Sequence, residues 1–300
     1  MSNFFRGLSI QLTFVFLVTF SLFAEKVEIA NGDLTLNAEH LIADGKNKED
    51  ATFLILHGTL AHNQMEVISQ LSELLLENEK NVLLINLSFA INARKSEFYD
   101  CAVPHTHSHF DAVEEIQMWV NWLTSKQKVS EVYVVGHSRG GNQIALFMER
   151  ASEAVKKAIL LAPMTWNYEN SKKSFDAKYP NGLSSLLKKA NEFSNSDRID
   201  EQMKSIPFLY CDDATASARA LLSYYQDDYR RNTPELIAQS DKPFLVFAGS
   251  ADRVVPDLPE MMEKFSLKKE NIEFHMIDTA DHFFRDLNMD EVVEIIIDSL

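Results

Sequence analysis

The sequence predicts an α/β fold built on a mostly parallel sheet with helices on both faces. Two observations carry this. From about residue 51 onward, short continuous apolar runs of strand length alternate with stretches whose apolar residues fall at helical spacing, and such alternation folds into a parallel sheet. Midway, one run stops at a glycine, passes a serine and opens into a helix through two more glycines, from Val132 to Gln143. That is a tight strand-turn-helix junction.

Taken in order, the first 24 residues stand apart. Met1 to Gly7 is polar with one positive charge at Arg6, Leu8 to Phe23 is almost wholly apolar, and Ala24 precedes the charged pair Glu25 and Lys26. A basic head, an apolar middle and a small residue at the cut predict a signal peptide over 1–24. The competing reading is an uncleaved anchor, although the run falls short of the ~20 residues that span a bilayer comfortably. Two strand-like runs follow, KVEIA and LTLNAEHLIA, and the Asn31-Gly32 between them signals a hairpin. ATFLILHG reads as a strand buried on both faces, and Gln64 to Glu77 as a helix with Met65, Ile68, Leu71 and Leu75 on one side. NVLLINLS is the next strand. After a long loop, a helix from Asp111 aligns Val113, Ile116, Val120 and Leu123.

Strand EVYVVGHS then leads into a helix over Asn142 to Ala151, followed by strand VKKAILLAP. The chain closes with strand PFLVFAG, helix DLPEMMEKF, strand NIEFHMI and helix DEVVEIIIDSL. Between Met164 and about Ser240 the alternation lapses into helical pieces without a buried strand of the repeating kind. A chain that leaves a sheet and must return to it suggests a helical cap inserted at 164–240, between core segments 25–163 and 241–300. An independent small domain is the alternative.

With 29 basic and 44 acidic residues the formal charge is -15, and no Lys/Arg block occurs. Charge-driven binding to nucleic acid or to an anionic membrane is therefore excluded, and no stable membrane association is expected once the signal is cleaved. Oligomeric state cannot be read from the sequence.

Gly136, Ser138 and Gly140 match GxSxG between a strand and a helix. A turn this sharp strains the serine backbone and brings neighbouring chain close, so small residues two before and two after are required. It raises the Ser138 hydroxyl above the sheet and leaves the Arg139 N–H at a helix start, where an oxyanion is favoured. A serine also needs a base and an orienting acid. Asp252 follows strand PFLVFAG and His282 follows strand NIEFHMI. Asp257 and Asp281 compete for the acid and His275 for the base.

On LILHGT, VVGHSRGG, FAGSADRVVP and TADHFF, the chain from about Lys26 to Leu300 resembles the α/β-hydrolase superfamily, in serine esterase or lipase-like form with a cap. The resemblance implies eight mostly parallel strands, a triad of Ser138, Asp252 and His282, and oxyanion donors at the N–H groups of Thr59 and Arg139. It also implies no cofactor. His57 is expected to contribute through backbone geometry, and His137 to touch substrate or pack.

His105, His107 and His109 alternate in the loop from Tyr99 to Ala112, beside Cys101. Zinc-like ligation is one reading, but the spacing matches no standard zinc motif, so no metal is assigned and a loop lining the pocket mouth is expected. In the resembled fold, Cys101 and Cys211 both lie on the catalytic side, and export favours a disulfide between them. The expected function is an exported, periplasmic or extracellular, serine hydrolase acting on a small-molecule carboxylic ester. Thioester or amide cleavage, and a non-catalytic binding protein on the same fold, stay open.

Overall fold

The computed structural model describes residues 23–266 and 269–300. All but the last two residues of the expected signal segment lie outside them. The expected Asn-Gly hairpin forms from β1 (Phe23–Asn31) and β2 (Leu34–Ile42), with Asn31 opposite Leu34 and Gly32 at φ +57°. Along β2 the side chains alternate, burying Leu36, Ala38 and His40, as expected of a strand with one covered face.

Next come β3 (Thr52–Leu56), α1 (Glu66–Glu77), β4 (Asn81–Asn86), α2 (Asp111–Asn121), β5 (Val132–His137), α3 (Arg139–Met148) and β6 (Val155–Leu161). The sheet is completed by β9 (Phe244–Gly249) and β10 (Ile272–Ile277), with α8 (Leu258–Phe265) between them and α9 (Leu287–Asp298) after. Its eight strands run in the order β1-β2-β4-β3-β5-β6-β9-β10. β1 and β2 pair antiparallel, β2 joins β4 antiparallel, and the rest are parallel. Every residue of β3, β4 and β9 is buried, because these central strands are covered on both faces. Helix α1 packs beside α9, while α2 contacts α3.

The chain turns one way from β3 to β4 and the other way from β4 to β5, so β3 ends with β4 on one side and β5 on the other. Strand order reverses at this point, and ligands of open parallel sheets bind at the carboxyl ends of such a switch point.

Between β6 and β9 lie α4 (Tyr168–Lys178), α5 (Leu183–Ser194), β7 (Gln202–Phe208), β8 (Cys211–Ser217), α6 (Ala218–Tyr225) and α7 (Thr233–Ile237). The helical pieces expected here are present, joined by an antiparallel hairpin, β7-β8, that the sequence pattern does not predict. Its polar, interrupted strands carry no continuous apolar run, and their pairing is irregular at Ser205 and Pro207. The excursion packs its own hydrophobic cluster around Leu183, Phe208, Leu221 and Tyr224. Its last helix instead joins the main core through Leu236 and Ile237.

Candidate active site

Strand register brings the candidate residues together. Leu56 pairs with Gly136 across β3 and β5, so Thr59 and Arg139, each three residues further on, leave the sheet side by side. They touch: the Arg139 Nε donates to Thr59 Oγ1 at 3.0 Å. Gly249 pairs with Ile277 across β9 and β10, which sends the loops carrying Asp252 and His282 off the same edge.

Ser138 sits at φ 57°, ψ -123°, a conformation that β-carbon sterics disfavour. The elbow holds because the chain is closely packed around it. A Cβ at Gly136 would lie 2.4 Å from the Gly140 carbonyl oxygen, and one at Gly140 would lie 2.3 Å from that of His57. A bulkier residue at Gly140 would push the elbow away from the end of β3, and one at Gly136 would push the start of α3 off β5.

His282 Nδ1 lies 2.8 Å from Asp252 Oδ2, with both side chains buried. An N–H on Nδ1 donating to the carboxylate leaves Nε2 as the acceptor. The other oxygen of Asp252 accepts from the backbone N–H groups of Val254 and Val255, at 2.6 and 3.1 Å. Burial pushes the Asp252 carboxyl up, but the His282 hydrogen bond and charge with these two N–H donors outweigh it and hold it below the usual carboxylate range. The rival acids are engaged elsewhere. Asp257 accepts from the Thr165 hydroxyl at 2.7 Å, and Asp281 pairs with Arg285. His275 stays on β10, 2.8 Å from Glu273.

His137 has a definite use. Its Nε2 lies 2.9 Å from the His282 carbonyl oxygen and its ring centroid 4.9 Å from that of His282, so the residue before Ser138 anchors the histidine loop. Burial, reinforced by the neighbouring His282, lowers its pKa to about 3 and keeps it a neutral N–H donor. Ser138 Oγ and His282 Nε2 are not hydrogen bonded to each other here; such contacts commonly tighten only when substrate is bound.

A profile of the alpha/beta hydrolase fold matches residues 51–288. The chain belongs to that family. Among solved structures it is similar to the esterase Est1E from Butyrivibrio proteoclasticus, with TM-score 0.61 and 17% identity over 91% of this chain and 98% of that one. It is also similar to the Pyrococcus furiosus esterase Pf2001, with TM-score 0.59 and 18% identity over 91% of this chain and 90% of that one. The dienelactone hydrolase of Anabaena variabilis gives TM-score 0.53 and 14% identity, over 91% of this chain and 94% of that one. These likenesses show the shared fold. No curated protein matches this chain by sequence.

Within this hydrolase fold, His57 is wholly buried and its ring is internally committed. Nδ1 meets the Gly58 carbonyl at 3.0 Å and Nε2 accepts from the Leu87 N–H at 3.2 Å. The histidine loop departs from expectation: instead of lining an open mouth, His105, His107 and His109 are buried in the seam between sheet and excursion. The cause is edge pairing, with His105 N–H donating to Thr215 O at 2.8 Å and Ser217 N–H to His105 O at 2.9 Å. The His105 ring stacks on Tyr99 at 4.4 Å and meets Phe208 at 4.6 Å, while His109 Nε2 is 2.8 Å from Asn142 Oδ1. Cys101 and Cys211 form a disulfide that locks this seam, which removes Cys101 as a thiolate ligand. Among the described residues no group of three or more His, Cys, Asp or Glu side chains is arranged to hold a metal ion.

Two side chains near the site have no role assigned by the sequence, those of Arg139, whose backbone N–H alone is expected to act, and Arg231. Arg139 does carry a signal: the helical positions three and four residues on are Asn142 and Gln143, so its cation has no local acid.

Proposed function

We propose that this chain is an exported serine esterase that cleaves a small-molecule carboxylic ester through an acyl-enzyme, with residues 164–240 as a cap over the site. The observation that carries the reading is the buried 2.8 Å contact between His282 Nδ1 and Asp252, on loops that His137 ties to a strained serine elbow. His282 Nε2 takes the Ser138 proton as the hydroxyl oxygen attacks the carbonyl, and Asp252 stabilises the imidazolium that forms. The N–H groups of Thr59 and Arg139 receive the oxyanion. His282 then returns the proton to the departing alcohol, and a water repeats the sequence on the acyl-enzyme. The disulfide supports export, since such bonds persist in oxidising compartments.

Labelling with a fluorophosphonate, followed by hydrolysis of matched acyl esters, thioesters and amides, tests the reading. Covalent labelling at Ser138 and ester turnover that Ser138→Ala abolishes are expected. A folded Ser138→Ala variant with unchanged turnover would refute it.

A further inference from the structure

A buried guanidinium is costly unless its donors find acceptors. Arg94 meets that demand. Its Nε donates to Leu87 O at 2.6 Å, its Nη1 to Glu97 O at 2.8 Å, and its Nη2 to Ala61 O at 2.8 Å and to Asn86 Oδ1. With His57 Nε2 3.4 Å from its Nη2 as well, five partners around one arginine describe a structural role.

Arg139 and Arg231 are built differently. Beyond the Thr59 contact, Arg139 Nη1 is sealed from solvent with no partner, and its guanidinium carbon lies 5.0 Å from the Tyr224 ring centroid. Arg231 is wholly buried and spends one donor, Nη1, on Ser223 O at 3.2 Å. Its Nε and Nη2 are unpartnered, and the guanidinium lies 4.3 Å over Trp166, whose indole N–H is also buried without an acceptor. Among the described residues, Arg150, Arg219, Arg230 and Arg285 make ion pairs, and neither of these two does.

Both belong beside the elbow. Arg139 follows Ser138 directly and is half-buried. Arg231 reaches the same region through its neighbours. Its Nη1 donates to Ser223 O, next to the Tyr224 ring under Arg139. Thr233, two residues on, donates its N–H and hydroxyl at 3.2 and 2.6 Å to the carbonyl of Met164, whose N–H donates to Ser138 O at 3.1 Å. Burial lowers the Arg231 pKa to about 9; Asp228 opposes the shift and the like charge of Arg139 adds to it. An anion beside Arg231 would oppose both effects.

We propose that Arg139 and Arg231, with the Trp166 indole N–H, form a subsite for an anionic group, so that the ester cleaved here also carries a carboxylate. The planar forks of two arginines suit a carboxylate better than a neutral chain. The assignment rests on the esterase reading for the position of the scissile bond. The carboxylate belongs to the acyl group or to the alcohol, and substrate pairs separate these sources.

The test compares kcat/KM of the purified protein for mono-4-nitrophenyl adipate against 4-nitrophenyl hexanoate, and for 4-(acetoxymethyl)benzoate against benzyl acetate. A preference for the anionic member of about tenfold or more in one pair is expected, and it names the side that carries the charge. That ratio should fall to within about threefold of unity in Arg139→Gln and in Arg231→Met. Should Arg231→Met not fold, the wild-type ratio and Arg139→Gln decide. Cleavage of the neutral esters without preference in either pair overturns the subsite and leaves the esterase reading intact. If no ester is cleaved and Ser138 is not labelled, the esterase reading fails, and calorimetric titration with adipate and with 4-methylbenzoate reads the subsite alone. Binding of either anion that Arg139→Gln abolishes supports it; no heat from either overturns it.

Discussion

Lowering the pH from 7 to 5 should remove most of this protein's stability, because six histidines are buried where protonation is disfavoured. His40 and His105 are held at about 4 and His107 and His137 at about 3, while His57 and His109 lie well below the usual value, burial being the largest cause in each. The unfolded chain binds a proton at each near pH 6.5, so unfolding takes up protons throughout the window from 6.5 down to the folded values. The sign follows: stability from these groups is complete above pH 6.5 and is lost progressively as the pH falls toward about 4. His40, His105, His107 and His137 each cost about 2 kcal/mol between pH 7 and 5, together about 7, and His57 and His109 act in the same direction. Glu115 acts the other way. Burial outweighs its Ser88 hydrogen bonds and raises its pKa to about 7, so its protonation in the fold returns about 2 kcal/mol over the same range. The net loss from the groups with defined values is about 5 kcal/mol, the scale of a marginally stable domain's whole stability, and His57 and His109 add to it.

Urea unfolding followed by circular dichroism at pH 7, 6, 5.5 and 5, with the disulfide intact, measures this. His105→Phe supplies a control, since it keeps a ring against Tyr99 and Phe208 while removing a side chain whose two nitrogens have no hydrogen-bond partner. It should restore about 2 kcal/mol at pH 5. A wild-type loss below about 2 kcal/mol between pH 7 and 5.5, equivalent to an average uptake of fewer than about one proton, would refute the reasoning by showing that the rings are hydrated.

Three further outcomes are expected. Asp252→Asn should cut kcat by roughly 10⁴ with the fold intact, because the wrong His282 tautomer faces Ser138; Asp257→Asn and Asp281→Asn should not, and steady-state kinetics on one ester compares the three. Gly140→Ala puts a Cβ 2.3 Å from the His57 carbonyl oxygen, so it should lower stability by about 1–3 kcal/mol and slow fluorophosphonate labelling of Ser138. Replacing both Cys101 and Cys211 by serine opens a loop of sequence separation 110, for which chain entropy predicts a loss of about 5 kcal/mol; an unchanged urea midpoint would mean that the bridge does not restrain the unfolded chain.

Local patterning makes the fold legible in the amino-acid sequence. Continuous apolar runs such as Thr52–Leu56 and Phe244–Gly249 have to be doubly covered strands, and GxSxG between a strand and a helix has to be a sharp elbow, because hydrophobic period and backbone sterics act over a few neighbouring residues. Ser138 is therefore readable alone. Its partners are readable only as candidates, since Asp252, Asp257 and Asp281 all follow strand PFLVFAG and nothing local says which carboxylate turns toward His282. Tertiary structure decides that through the parallel register of β9 and β10, and it pairs His137 with the His282 backbone across 145 residues. It also decides what periodicity cannot encode. The β7-β8 hairpin lacks an apolar alternation, the histidine loop is buried by edge pairing to β8, and Arg139 and Arg231 are left with buried guanidinium nitrogens that have no partner. Each depends on which distant segments exclude water from one another, a property of the packed chain that no local window of sequence contains.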